Sequence, residues 1–283
     1  MPDIRTSAAP VRQPDRAALL ADLRAHIQRL EGLGGEGARV LPFGVPDLDS
    51  AFPAGGLPLG CLHEVTAEEP GAGTAFTAGL LARLGSAAAP VVWVVRGRDL
   101  HAAGLAAYGL TPDRLIAVRA TRDADALWAM EEALRCKRLS AVLGEVGALD
   151  LTASRRLQLA AESSGVTGVL LQTGPRRSAA SAAVTRWRIA PAPSEPLEPG
   201  VGDPRWSVAL ERCRGGRPGA WLLEWRDGAL VDAASAPART APVPVPTLTP
   251  TLAPMAAPVA ERRPSQAQAQ AKVQADRRWA EVA

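Results

Sequence analysis

The sequence predicts a three-layer α/β domain whose mainly parallel central sheet is extended by antiparallel strands, with a helix before it and a disordered Pro/Ala-rich tail after it. Three observations carry this. Short continuous apolar runs such as PVVWVV (90–95) alternate with helix-compatible stretches of about 10 to 15 residues, the pattern of βαβ units. After Gly174 the helices stop, and strand-like runs follow one another through turns such as CRGGRPG. From Ala233 onward proline recurs with alanine, threonine and valine, a composition of extended, solvated chain.

The elements follow in order. Residues 15–30 place Leu19, Leu20, Leu23, Ile27 and Leu30 near helical spacing before a run of glycines, so an amphipathic helix and linker should occupy 1–40. Its apolar face, with Leu19, Leu23 and Ile27, serves equally for packing on the domain or for binding a partner. The core domain should span 41–232. Strands are expected at 59–66, 90–95, 115–119, 140–146 and 165–172, and helices at 73–84, 124–135 and 151–163. Tyr108 and Gly109 mark a helix stop. The later runs 183–190, 205–212 and 220–226 should extend the sheet in antiparallel fashion. Residues 233–283 form the low-complexity tail, ending in an Ala/Gln-rich, helix-prone piece with Trp279 as its candidate anchor.

At 283 residues the chain is long enough for one full core plus appendages. Its net charge of +3 is accounted for by the tail alone, where Arg239, Arg262, Arg263, Lys272, Arg277 and Arg278 outnumber Glu261, Asp276 and Glu281. A neutral remainder argues against DNA binding driven by phosphate neutralisation, so contact with DNA is expected to be weak or indirect. Cys61, Cys136 and Cys213 are odd in number and show no metal-ligand spacing, which reads as reduced thiols of a cytoplasmic protein. No apolar run reaches the roughly 20 residues of a membrane helix, and no membrane role is expected. His26, His63 and His101 stand in different elements with no acid or nucleophile at a catalytic spacing. Trp187, Trp206, Trp221 and Trp225 crowd together with Arg186, Arg188, Arg205 and Arg226. That mix fits either a base-stacking surface or ordinary strand alternation, and packing is the favoured reading.

A phosphate site needs loop amides between a strand and a helix, a lysine for the β/γ charge and a hydroxyl for magnesium. The segment after Leu62-His63-Glu64-Val65 stands in that position, running from Thr66 to Thr74. The stretch GVPDLDSAFPAGGLPLGCLHEVTAEEPGAGTAF resembles the start of the RecA core, with Asp49, Ala51, Gly55, Gly56, Leu57, Pro58 and Gly60 matching its lead-in. In that register Ala67 replaces the first loop glycine, Gly73 replaces the lysine, and Thr74 keeps the hydroxyl. The likeness continues through PVVWVVRGRDLHAAGLAAYGLTPDRLIAV and implies that Gly97 replaces the catalytic glutamate. Glu145 then stands at the Walker B carboxylate and Gln172 near the nucleotide-sensing glutamine. Gly71, Gly73, Thr74, Glu145 and Gln172 therefore outline a vestigial nucleotide site. Loss of lysine and glutamate together removes charge stabilisation and water positioning, so no hydrolysis and no catalytic residue is expected. No resident cofactor or metal is expected either, although loop amides, Thr74 and Glu145 leave weak ATP binding open.

Three blocks, ADALWAMEEALRCKRLSAVLGEV, LDLTASRRLQLAAESSGVTGVLL and RWSVALERCRGGRPGAWLLEW, resemble the ImuA family of RecA-like accessory proteins of bacterial mutagenic translesion synthesis. The resemblance implies a damage-induced, cytoplasmic, non-catalytic factor of the SOS DNA-repair response, a scaffold for ImuB, a Y-family polymerase relative, and for an error-prone DNA polymerase. RecA-like proteins are further candidate partners. Two alternatives stand beside it: an ATP-dependent recombinase-like protein, and a SulA-like cell-division inhibitor.

Overall fold

The computed structural model describes residues 39–96, 100–147, 149–174, 181–196 and 202–235. The expected helix at 15–30, with Leu19, Leu23 and Ile27, and the tail with Trp279 lie outside these residues. The chain begins with β1 (Val40–Leu41), α1 (Pro46–Asp49) and β2 (Leu57–Pro58). Five further strands alternate with helices: β3 (Leu62–Ala67), α2 (Pro70–Ala82), β4 (Val91–Arg96), α3 (Ala102–Ala106), β5 (Leu115–Ala120), α4 (Asp123–Leu134), β6 (Ala141–Glu145), α5 (Leu151–Ser164) and β7 (Thr167–Thr173). Four strands close the domain: β8 (Thr185–Ala192), β9 (Arg205–Cys213), β10 (Gly219–Arg226) and β11 (Ala229–Asp232).

β3 to β11 form one nine-stranded sheet in the order β11-β10-β9-β8-β3-β7-β6-β4-β5. From β8 to β5 every neighbouring pair is parallel, and β9, β10 and β11 are added antiparallel. The α/β class and the antiparallel extension thus match the sequence reading; among the strands of this sheet β8 and β11 differ from it, and α2 begins at Pro70 rather than Gly73. β8 was expected to be antiparallel but runs parallel to β3, pairing His63 with Thr185 and Ala67 with Ile189. β11 was not anticipated; it pairs with β10 through the tight turn at Asp227-Gly228.

Two cores lie on opposite faces of this sheet, fed by alternate residues of the same strands. Val91, Trp93 and Val95 of β4 join the core beneath α2, which contains Phe76, Leu80 and Leu81. Val92 and Val94 join the core beneath α4 and α5, with Met130, Leu134 and Leu157. Burial on both faces explains why these strands read as unbroken apolar runs. α5 starts where the Asp150 carboxylate accepts the Ala153 amide at 2.6 Å, and stops at Gly165, whose φ of 78° is the left-handed conformation of a helix C-cap.

The matched lead-in motif has a local structural role. Asp49 accepts the backbone N–H groups of Phe43 at 2.7 Å and Gly44 at 3.0 Å, tying α1 to the strand before it. A methyl on Gly56 would stand 2.8 Å from the Leu41 backbone, so only glycine permits β1 and β2 to pair there.

Candidate functional site

The carboxyl ends of β3, β4, β6 and β7 hold the residues outlined as a nucleotide site, and the turn from β3 into α2 decides its geometry. β3 runs to Ala67 and α2 starts at Pro70, leaving only Glu68 and Glu69, both exposed, between them. Gly71, Gly73 and Thr74 therefore belong to the first turns of the helix. Pro70 suits the first helical position, because its fixed φ is helical and its missing N–H is one the helix would leave unpaired there. The Glu68 amide donates to Ile189 O at 3.0 Å and the Gly73 amide to Glu69 O at 3.3 Å, so both are spent within the fold.

Gly73 lies directly against Ala67. A methyl built on Gly73 would stand 2.4 Å from the Ala67 Cβ and 3.0 Å from Leu171 Cδ1. The two departures from a phosphate loop, alanine for glycine and glycine for lysine, thus fit each other in space. Thr74 is partly exposed, and its carbonyl accepts the Thr77 hydroxyl, which also bonds Gly73 O at 2.7 Å. Two exposed carboxylates at the start of α2 oppose any anion approaching the remaining free amides.

Glu145 shares the α2 face of the sheet, following Leu143 at a two-residue spacing. Its carboxylate is engaged: Oε1 accepts the Trp93 indole N–H at 2.9 Å and Oε2 accepts the Arg96 amide at 3.0 Å, clamping β6 to β4. Gln172 lies on the opposite face, continuing Leu170, beside Thr66 of β3. It is buried, and its Oε1 has no hydrogen-bond partner among the described residues. The structure thus brings Gly71, Gly73, Thr74 and Glu145 to one face and Gln172 to the other. Compared with a phosphate loop, the helix starts at Pro70, glycine stands at the lysine position, and each Glu145 oxygen accepts a hydrogen bond from β4. Arg96 and Asp123, which the sequence reading did not single out, meet at the same sheet end in an ion pair of 3.1 Å. Asp123 also accepts the Gly147 amide at 2.9 Å.

The tryptophan-arginine region is packing. Trp187, Trp206 and Trp225 are buried, and Trp187 contacts Phe43, Phe52 and Phe76 with ring centroids 5.5 to 6.3 Å apart. On the reverse face of the same strands, Arg186 pairs with Glu64, Arg188 with Glu211, Arg205 with Glu195 and Glu224, and Arg226 with Glu224 and Asp203. Arginines so neutralised offer little to a phosphate backbone.

His63 and Cys61 approach each other at 3.6 Å, but neither is poised for chemistry. Burial holds His63 down at about 4 and pushes the Cys61 thiol up to about 12. The Trp187 indole N–H donates to Thr185 Oγ1 at 2.8 Å, which leaves that hydroxyl to donate to His63 Nδ1 at 2.7 Å. His63 Nε2–H then donates to Pro58 O at 2.9 Å. The unfolded chain's imidazole, at its ordinary 6.5, takes up a proton that the folded one refuses. His63 therefore contributes stability that is complete above about pH 6.5, falls as pH drops, and levels off below about pH 4, a loss on the order of 3 kcal/mol. Urea midpoints compared at about pH 7 and about pH 5 should show a steeper decline for the wild type than for His63→Gln; parallel declines would refute this.

Among the described residues no group of His, Cys, Asp and Glu could hold a metal ion, and no helix is long and apolar enough to cross a membrane. No family profile matches the chain. Two curated relatives do: Protein ImuA of Caulobacter vibrioides strain NA1000 / CB15N and Protein ImuA of Caulobacter vibrioides strain ATCC 19089 / CIP 103742 / CB 15. Each is 48% identical over 205 residues, covering 65% of this chain and 83% of the relative.

Proposed function

This chain belongs to the ImuA family, and on that premise we propose that it is a non-catalytic accessory factor of damage-induced mutagenic translesion DNA synthesis in the cytoplasm. It acts as a scaffold for an ImuB-like polymerase relative and an error-prone DNA polymerase, and its RecA-like core contributes surfaces rather than turnover. The observation that supports the non-catalytic part is the contact between Ala67 and Gly73, which leaves no space for a lysine side chain at the start of α2. The engagement of Glu145 by Trp93 and Arg96 supports it further, since one hydrogen bond accepted by each oxygen holds the carboxylate against β4 and leaves it fewer lone pairs for magnesium and water.

The test is calorimetric titration of the full chain with Mg-ATP, alongside phosphate release with and without single-stranded DNA. Neither binding heat nor turnover is expected, and Thr74→Ala should leave both traces unchanged. DNA-stimulated phosphate release lost in Thr74→Ala would overturn the reading in favour of a divergent motor. Co-purification addresses the scaffold part: retention of the two polymerase-related partners is expected, and retention of the division protein in their place would point to a division inhibitor.

A further inference from the structure

The nine-stranded sheet ends at β5, and this edge is open. β5 keeps parallel register with β4 at all six of its positions, from Val91–Leu115 to Arg96–Ala120, without a bulge. Among the described residues no strand lies on its other side, and none of its backbone groups bonds outside the pair with β4. Exposed edges are normally kept short, interrupted by proline or a bulge, or covered, because they invite another strand. The opposite edge follows this rule, since β11 has only four residues. β5 does not: it is six residues of regular strand, with Ile116 46% exposed.

A cavity beside this edge indicates what an added strand would carry. Leu115, Ala117 and Arg119 share one face of β5 at the two-residue spacing of a strand, and with Val95, Leu100 and Pro112 they line a space of about 330 Å³. Apart from Arg119 these side chains are apolar, so the space suits an apolar side chain. Arg119 is exposed and has no acidic partner among the described residues, whereas Arg96 pairs with Asp123 and Arg122 with Asp125 at the same end of the strand. Asp113 stands at the other end, beside Arg114. The charge left uncompensated at the cavity itself is therefore the Arg119 guanidinium, which a carboxylate would match.

Backbone chemistry sets the form of the occupant. A strand laid along β5 makes main-chain hydrogen bonds with the open edge and places alternate side chains on the cavity face. Antiparallel pairing, the slightly stronger arrangement, carries the added chain past Arg119 first and past Ala117 two residues later. We propose that the β5 edge receives an extended segment of a partner protein in antiparallel pairing, with an acidic residue against Arg119 and, two residues on, a large apolar residue in the cavity. Binding there does not depend on whether the nucleotide site is silent.

The probes are fluorescein-labelled peptides of alternating threonine and valine with a central Glu-Val-Phe, Lys-Val-Phe or Phe-Val-Glu, titrated by anisotropy against the full chain. Glu-Val-Phe should bind most tightly, about tenfold or more ahead of Lys-Val-Phe. Methylating its backbone nitrogens at one set of alternate residues should abolish binding, and methylating the other set should spare it, because only one set faces β5. Ala117→Trp, which fills the cavity from an exposed position, should weaken binding about tenfold or more, as loss of an anchor does. Arg119→Glu should reverse the preference between the glutamate and lysine peptides. Thermal melts check that both variants remain folded. Binding of no peptide, equal binding of Glu-Val-Phe and Lys-Val-Phe, tighter binding of Phe-Val-Glu, equal tolerance of the two methylation patterns, or indifference to Ala117→Trp would each overturn the proposal. So would sedimentation showing that the β5 edge instead joins two copies of this chain.

Discussion

Gly73→Lys, the substitution that would nominally restore a phosphate-loop lysine, is expected to destabilise the protein by about 3 kcal/mol or more without conferring ATP binding. The new Cβ alone would stand 2.4 Å from the Ala67 Cβ and 3.0 Å from Leu171 Cδ1, in a region where Ala67 and Leu171 are buried. Neither neighbour can yield easily, since Ala67 sits in β3 between β7 and β8 and Leu171 in β7 between β3 and β6. Ala67→Gly by itself should cost only about 1 kcal/mol, through a lost methyl contact and added backbone freedom. Combined, the two changes should be less harmful than their separate costs imply, because glycine at 67 removes the nearer obstruction. A double-mutant cycle on urea midpoints measures that coupling, and additivity within about 0.5 kcal/mol would show that the two positions are independent.

Trp187→Ala should cost about 3 to 5 kcal/mol, the range for emptying a buried aromatic site. Trp187 is among the largest fully enclosed side chains, and three phenylalanine rings pack around it. Because its indole N–H also supports Thr185, which in turn fixes the His63 ring, the substitution loosens the join between β3 and β8 as well as the core. Trp187→Phe keeps most of the ring contacts and removes only the donor, so about 1 to 2 kcal/mol is expected. Equal losses in the two variants, read from chemical denaturation, would place the whole effect in the hydrogen bond and contradict the packing account.

Most of the parallel sheet was legible because strands buried on both faces must be apolar throughout, and PVVWVV and SAVLGEV have no other economical reading. The direction of β8 was not legible. Alternation of Arg186, Trp187, Arg188 and Ile189 fits a parallel or an antiparallel neighbour equally well, so the strand's own sequence does not decide between them. β11 escaped because Ala229–Asp232 is too short to display a period. The helix expected at 73–84 begins three residues earlier, where Pro70 carries the signal of a first helical position. At the candidate site, residue positions were assigned through the resemblance to the RecA core, but their commitments were not legible in it. Nothing local announces that Glu145 will bond an indole 52 residues away, or that Asp123 will bridge Arg96 and Gly147.

The alternation within β4 also constrains how relatives of this chain can vary in length. Val91, Trp93 and Val95 serve one core while Val92 and Val94 serve the other, so inserting or deleting one residue inside the strand would exchange the two sets and place an indole where a valine belongs. Length should therefore drift only in the connections, for example across residues 84–90 between α2 and β4. In the central strands, related chains should differ by substitution alone.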